Sequence, residues 1–390
     1  MRILYVCADR GIPIDGPKGA AAHVRSTVRA LEALGHEVLV LAGEVGDGGL
    51  DCHVRALPVP DLVPRITTHV DPRSARALGH LWTNVAVSES VTEAMERFRP
   101  QLVYERYSPF GVATGVTAAA RGLRHLLEVN APLAWEGARF RRQAFGEVAA
   151  VLERAAFGAA GGIIAVSREL KDTLVAAGVV AAKIAVVPNG VDPDVFAPVG
   201  PAADVGPGAG AVTVGFVGSL KPWHGLAILV EAFRRLAPDT RYHLLIVGDG
   251  PEAATIRALA AELPGRVTHI RAVRHEDVPR FLRAMDIAVA PYPRLERFYY
   301  SPLKVLEYMA TGRAIVASAI GQPRELLRTD ETGVLVPPGD VAALAGAIRC
   351  LAHDRERRRA LGAAAAQEAA SRHRWIDRAA QIVGLAQAAA

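Results

Sequence analysis

Two segments in the second half of the chain have the residue types and spacing to hold an anion. The first is Ser301-Pro302-Leu303-Lys304-Val305-Leu306-Glu307. Ser301 is a good helix N-cap, Pro302 suits the first helical position and Gly312 suits the C-terminal cap, so a sharply bounded helix is predicted over 302–311. The first turn of such a helix has amides without intrahelical partners. Here Leu303 and Lys304 present theirs at the positive end of the helix dipole. That arrangement binds anions, and Lys304 adds a mobile full charge. Glu307 falls on the same face as Leu303, among the apolar Val305, Leu306, Met309 and Ala310. A carboxylate in such surroundings needs partners. Hydroxyls of a bound ligand would serve, and a simple pairing with Lys304 is the structural alternative.

The second segment is the loop Gly218-Ser219-Leu220-Lys221-Pro222-Trp223-His224-Gly225. Its glycines bracket Lys221 and His224 where a strand hands over to a helix, a place where backbone amides cradle phosphates. An ordinary turn with Trp223 packed on its neighbour is the alternative. A third loop, Asp15-Gly16-Pro17-Lys18-Gly19-Ala20, follows the first strand and precedes a helix. It is not a G-x-G-x-x-G fingerprint, and none occurs elsewhere, which argues against a nicotinamide or flavin enzyme.

These loops need a scaffold, and the apolar pattern supplies one. Strands are predicted at 2–7, 37–42, 102–104, 125–129, 162–166 and 184–187, with helices at 21–34 and 168–177. Residues 197–210 are mostly Pro, Gly and Ala, which marks a linker. Strands then resume at 213–217, 242–247, 267–270, 287–290 and 314–317, with a helix at 228–236 and a last one at 374–388. Alternation of this kind predicts α/β domains with parallel sheets covered on both faces. Two such sheets in tandem place a ligand in the cleft between them, beyond the carboxyl ends of the strands.

The bulk numbers narrow the function class. The chain has 390 residues, 51% hydrophobic and 22% charged, with a net charge of +5. That is enough for two domains. No run of 18 apolar residues predicts a membrane span, and the N-terminus lacks a signal-peptide cleavage site. The three cysteines (Cys7, Cys52 and Cys350) form no C-x-x-C pair and predict free thiols in a cytoplasmic protein. No structural-zinc spacing appears, and no metal is expected. No basic run interleaved with aromatics points to nucleic acid. The positive balance suits an anionic ligand, and it leaves open peripheral contact at the inner face of the cell membrane. Trp135 and Glu136 with Arg139, Arg141 and Arg142 could form an acceptor or membrane-facing surface or only a solvated helix face.

Taken in order, the motifs resemble glycosyltransferase family 4. They run through Gly19, Gly35-His36-Glu37-Val38, Ala165-Val166-Ser167 and Val187-Pro188-Asn189-Gly190-Val191-Asp192. They continue through Phe216-Val217-Gly218, Val247-Gly248-Asp249-Gly250-Pro251, Leu306-Glu307-Tyr308-Met309-Ala310 and Gly333-Val334-Leu335-Val336-Pro337. The resemblance implies a GT-B fold: two Rossmann-like domains facing across a cleft, with a C-terminal helix crossing back to the first. The expected boundaries are 1–196 for an acceptor-side domain, joined by 374–390, and 211–373 for the donor domain. It also implies a retaining transferase that takes a nucleoside-diphosphate sugar as co-substrate, with no other cofactor, and an acceptor the sequence does not name.

Site residues follow from the same resemblance. Glu307 matches the second Glu of the family's Glu-x7-Glu motif, on the nucleotide ribose. Ser301, Pro302, Leu303 and Lys304 match the stretch whose amides hold the diphosphate. Val273 falls where backbone reads the base, and Gly19 approaches the phosphates from the first domain. The departures are at the sugar end. Tyr299 stands where the first Glu would be. Ser219 and His224 replace basic residues, with Lys221 and Lys304 expected to restore the charge. A family His near the reacting sugar is replaced, with Asn130 or Glu128 as the nearest substitute. The chain thus resembles a subgroup with a Trp-His-Gly donor loop and a Ser-Pro-Leu-Lys helix start. These departures also leave room for a pseudo-glycosyltransferase or a non-catalytic sugar-nucleotide-binding protein.

Overall fold

The computed structural model describes residues 1–46, 53–58, 67–205 and 210–388. Cys52, part of the expected linker and the last two residues lie outside them. The first half contains β1 (Arg2–Cys7), α1 (Gly19–Ala33), β2 (Glu37–Ala42), β3 (His53–Ala56), α2 (Pro72–Arg97), β4 (Leu102–Arg106), α3 (Ala113–Ala120) and β5 (His125–Val129). It continues with α4 (Leu133–Phe140), α5 (Gly146–Ala159), β6 (Gly162–Ala165), α6 (Arg168–Ala176) and β7 (Ile184–Val186). The strands form one sheet in the order β3-β2-β1-β4-β5-β6-β7, with every pairing parallel.

The second half repeats the plan. It runs β8 (Val212–Val217), α7 (Leu226–Leu236), β9 (Tyr242–Val247), α8 (Ala253–Glu262), β10 (Val267–Ile270), α9 (Val278–Arg283), β11 (Ile287–Ala290), α10 (Leu303–Ala310) and β12 (Ala314–Ser318). After these come α11 (Gly321–Leu326), β13 (Val334–Val336), α12 (Val341–His353), α13 (Arg355–Arg372) and α14 (Trp375–Ala388). The second sheet has the order β10-β9-β8-β11-β12-β13.

The central strands are mostly apolar and buried because helices cover both faces of each sheet. All six residues of β8 and of β9 are buried. In each sheet the strand order reverses beside the first strand, between β1 and β4 and between β8 and β11. Those two switch points are where an open α/β sheet leaves a crevice at its carboxyl edge.

The chain crosses between the domains twice, and the crossings lie side by side. Val191 N–H donates to His373 O at 2.7 Å, and Trp375 N–H donates to Val191 O at 3.1 Å. Beyond them α14 packs on α1, with Trp375, Ala379 and Ile382 in the apolar cluster of the first domain. The expected return of the C-terminal helix is therefore present.

Candidate functional site

Helix α10 differs from expectation at its start. It begins at Leu303 with Pro302 as the cap, and Ser301 is not the N-cap. The reason is that the Ser301 hydroxyl is already used. It accepts the Asn189 N–H at 2.9 Å and donates to Gln322 Oε1 at 2.6 Å. Asn189 also donates through Nδ2 to Ser301 O at 2.6 Å. The residue before the helix thus ties the domain crossing to the donor-side helix. Gly312 takes the expected place just past the end, with φ of 66°.

Lys304 is the decisive side chain. It is buried, and its Nζ has no hydrogen-bond partner. The ammonium lies 3.9 Å from the centre of the Phe216 ring and 5.9 Å from that of Tyr292. Burial lowers its pKa to about 7, with Glu307 opposing the shift. The expected alternative, a Lys304–Glu307 pair, is not formed. Glu307 instead meets His275 Nε2 at 2.7 Å. His275 also packs on Phe196, with ring centroids 5.2 Å apart.

Backbone leaves the Lys304 head room on one side only because residue 218 is glycine. Gly218 has φ of 141°, and a Cβ there would lie 2.8 Å from Lys304 Nζ. Beyond it, His224 Nδ1 donates to Ser219 O at 2.6 Å. Burial, then Lys304 and Lys221, push the His224 imidazole down to about 3. His224 is therefore neutral at pH 7, with Nε2 as an acceptor. Positive charge at this loop then rests with Lys304 and Lys221. Lys221 lies with Nζ 5.8 Å from the centre of the Trp223 ring. Ser219 is exposed at the loop surface and Val273 is half-buried in the loop after β10.

Gly19 and Leu303 touch across the cleft. Leu303 packs against the apolar cluster of the first domain, and a Cβ on Gly19 would stand 3.6 Å from its Cδ1, an ordinary contact distance. Tyr299 also faces the other domain. Its hydroxyl donates to Glu136 Oε1 at 2.5 Å, and its ring packs edge-on against Trp135. Burial and the Glu136 carboxylate raise the phenol well above its ordinary range. The Tyr299 carbonyl accepts from Ser167 Oγ at 2.8 Å. The side chain at the missing-Glu position is thus committed to a helix of the first domain.

Asn130 and Glu128, the two candidates for the missing His, separate clearly. Glu128 is buried, 2.6 Å from His23 Nε2 and 3.8 Å from Arg106. Burial alone would raise its pKa, but His23 and Arg106 outweigh this and the net shift is downward. His23 in turn meets Asn189 Oδ1 through Nδ1 at 2.8 Å. Asn130 is half-buried at the end of β5, and its side chain helps hold the Glu128 carboxylate ionised. Sequence reading missed His275, Asn189 and Gln322. Only Asn189 had a local signal, as part of a Pro-Asn-Gly turn. The others meet the site from 32 and 21 residues away along the chain.

Comparison with known proteins places this geometry. The family model for "Glycosyltransferase Family 4" matches residues 17–195, and that for "Glycosyl transferases group 1" matches residues 211–354. Solved structures cover both domains together. Sucrose-phosphate synthase from Thermosynechococcus elongatus has a TM-score of 0.75 at 22% identity, over 100% of this chain and 98% of that one. Anabaena HepE in complex with UDP has a TM-score of 0.73 at 19% identity, over 100% of both chains.

The chain has the GT-B fold, and each of its two domains matches a glycosyltransferase family model.

Among curated proteins similar to this chain, the phosphatidyl-myo-inositol mannosyltransferase of Mycobacterium tuberculosis (strain ATCC 25618 / H37Rv) is 35% identical over 206 residues. The match spans 50% of this chain and 52% of the relative, about half of each. The fold expected from the sequence, two parallel-sheet domains across a cleft, is the fold observed.

Proposed function

We propose that this glycosyltransferase moves a sugar from a nucleoside-diphosphate sugar to an acceptor hydroxyl with retention of anomeric configuration and without a metal ion. The observation that carries this reading is the buried, unpaired ammonium of Lys304 beside Gly218 and the first turn of α10. A buried cation without partners is costly, and a diphosphate would supply them. HepE, the fold neighbour bound to UDP, supports a nucleotide donor.

In this reading the diphosphate sits on the Leu303 and Lys304 amides, the Gly218-Ser219 backbone and the Lys304 and Lys221 ammonium groups. Glu307, held by His275, accepts from the ribose hydroxyls, and backbone near Val273 meets the base. As the bond between the anomeric carbon and the phosphate oxygen breaks, negative charge grows on the leaving phosphate. Lys304 and the helix dipole stabilise it. The acceptor oxygen attacks from the same face, and its proton passes to the leaving phosphate. His224, neutral with Nε2 open, lies beside the phosphates as an acceptor.

The acceptor would approach from the first-domain side of the cleft, beyond the carboxyl ends of β1 and β4. The test is a thermal-shift screen with UDP, GDP, ADP, dTDP and their sugars, followed by transfer assays with and without chelator. One nucleotide should raise the midpoint, and transfer should survive EDTA. No stabilisation by any nucleotide would overturn the donor site, and activity abolished by EDTA would overturn the metal-free chemistry.

A further inference from the structure

A row of buried polar side chains lies under the first domain's side of the cleft, and the chemistry above does not use it. Cys7, Arg106, Glu128 and Ile164 are partners in register across four adjacent parallel strands, so their side chains point to one face of the sheet. Cys7 and Ile164 place that face under α1 and α14, in the apolar cluster they share. All four residues are last or next to last in their strands, at the carboxyl edge. Charges covered by helix at such a place persist only where partners hold them. Arg106 Nη1 stands 3.8 Å from Glu128 Oε2, and α1 supplies a second partner in His23, whose Nε2 stands 2.6 Å from Glu128 Oε1. Tyr5 and Tyr104 are buried nearby, where burial and then Glu128 push both phenols well above their ordinary range, so neither adds charge. Trp375 closes the pocket, its ring at right angles to that of His23 with centroids 5.1 Å apart.

The oxygens around His23 dictate where its protons are. Asn189 Nδ2 donates to Ser301 O at 2.6 Å. Turning that amide over would set two oxygens against each other, so Asn189 Oδ1 is the atom that faces His23. It accepts from His23 Nδ1 at 2.8 Å. On the other side the Glu128 carboxyl is ionised, because His23, Arg106 and Asn130 outweigh the effect of burial. A carboxylate oxygen 2.6 Å from a bare ring nitrogen would oppose two lone pairs. Each ring nitrogen therefore carries a proton, and His23 is braced between a carboxylate and an amide oxygen.

The far end of this brace is the entry to α10. Asn189 grips Ser301 twice, through Nδ2 and through its backbone N–H, which donates to Ser301 Oγ at 2.9 Å. Ser301 is two residues ahead of Leu303, where α10 begins. With Oδ1 held by His23, Asn189 Nδ2 can point only at Ser301. Without the ring the amide is free to turn and the grip on the backbone loosens. The Tyr299 hydroxyl makes a different contact, since it ties down a side chain and not the backbone that enters the helix.

We propose that His23 is a positioning residue for the diphosphate: protonated on both nitrogens between Glu128 and Asn189, it locks the Asn189 amide onto Ser301 and so holds the Leu303 and Lys304 amides of α10 in place for the phosphates. This inference rests on the donor site proposed above. A buried ion pair with a purely structural role would affect stability alone, whichever way the amide turned.

The test titrates UDP and inorganic pyrophosphate calorimetrically into the full chain and its variants, with thermal midpoints recorded alongside. His23→Leu should weaken both ligands by about tenfold, the effect of one lost hydrogen bond. His23→Asn keeps a donor toward Asn189 and drops the contact with Glu128, so it should recover most of the affinity without recovering the midpoint. Asn189→Ala should weaken both ligands as His23→Leu does. The double variant H23L/N189A should be no weaker than either single one, because the two act through one link. In the 15N-labelled protein at pH 7 the His23 ring should show two protonated nitrogens, a pattern that neither neutral tautomer gives. If His23→Leu does not fold, Asn189→Ala and the ring spectrum decide the matter. Affinity within twofold of wild type in a folded variant, losses that multiply in the double variant, or a ring with one bare nitrogen would overturn the positioning role and leave the donor site standing. Failure of the wild type to bind either ligand would overturn the donor site and this role with it.

Discussion

At one end of the cleft Lys304 is buried with its ammonium unpaired; five residues earlier, Tyr299 is buried with its hydroxyl committed to Glu136 of the other domain. The same strand-to-helix connection therefore holds two opposite states. The Lys304 end keeps charge in reserve, which is unfavourable until an anion arrives. The Tyr299 end is already satisfied, through Ser167, Glu136, Asn189 and Gln322. The difference shows which groups await a ligand and which hold the two domains together. A site that binds something is recognised by what it lacks in the free protein, and a seam by what it has already used.

The largest expected effect tests the reserve. Lys304→Met should leave folding intact or improve it, since it removes an unpaired buried cation. Transfer should fall by ~10²–10³, about 3–4 kcal/mol in the barrier. A turnover number within twofold of wild type would move the phosphate site elsewhere. Next, Glu307→Gln should weaken nucleotide binding by about 10- to 100-fold, the range for hydrogen bonds to a charged group. Calorimetric titration of the nucleotide reads this directly.

A pH measurement sharpens the comparison. Lys304 has a folded-state value of about 7, below that of an unfolded lysine. The folded protein then binds fewer protons than the unfolded chain above pH 7. Its contribution to stability rises with pH from about 7 into the ordinary lysine range, and is least below 7. A bound diphosphate reverses the shift, so nucleotide binding at pH 8 should take up close to one proton. Calorimetry in buffers of different ionisation enthalpy measures this, and Lys304→Met should abolish it.

The smallest effect belongs to the seam. Tyr299→Phe should cost about 1 kcal/mol of stability and leave nucleotide affinity unchanged. Any change should appear in the dependence on acceptor. If Tyr299→Phe weakens the nucleotide as much as Glu307→Gln does, the two ends are one site and the contrast fails.

How much of this could be read beforehand depends on the range of the interactions. The strands at 2–7, 37–42, 125–129 and 242–247 are mostly apolar, and they fall where the pattern puts them. Helix α2 was not anticipated, because its apolar residues do not repeat cleanly with helical period. Its start was signalled by Asp71-Pro72, where the aspartate caps the Arg73 and Ser74 amides. Ser301 looked like a cap because that role is local. Its hydroxyl was instead taken by Asn189, 112 residues away, which no local pattern reveals. The same holds for His275 on Glu307. Local chemistry suggested the proposed anion site, and tertiary contacts decided which polar groups remained open.

The paired crossings at Val191 and Trp375 carry a mechanical consequence. Two strands of one chain, clasped by two backbone hydrogen bonds, behave as the pin of a door. Sliding or twisting one domain over the other would break the clasp, whereas swinging about it would not. Gly190 makes the pin slim, since a Cβ there would lie 2.7 Å from Trp375 N. A swing about the clasp would keep its two hydrogen bonds while breaking the Tyr299–Glu136 and Ser167–Tyr299 contacts of the seam.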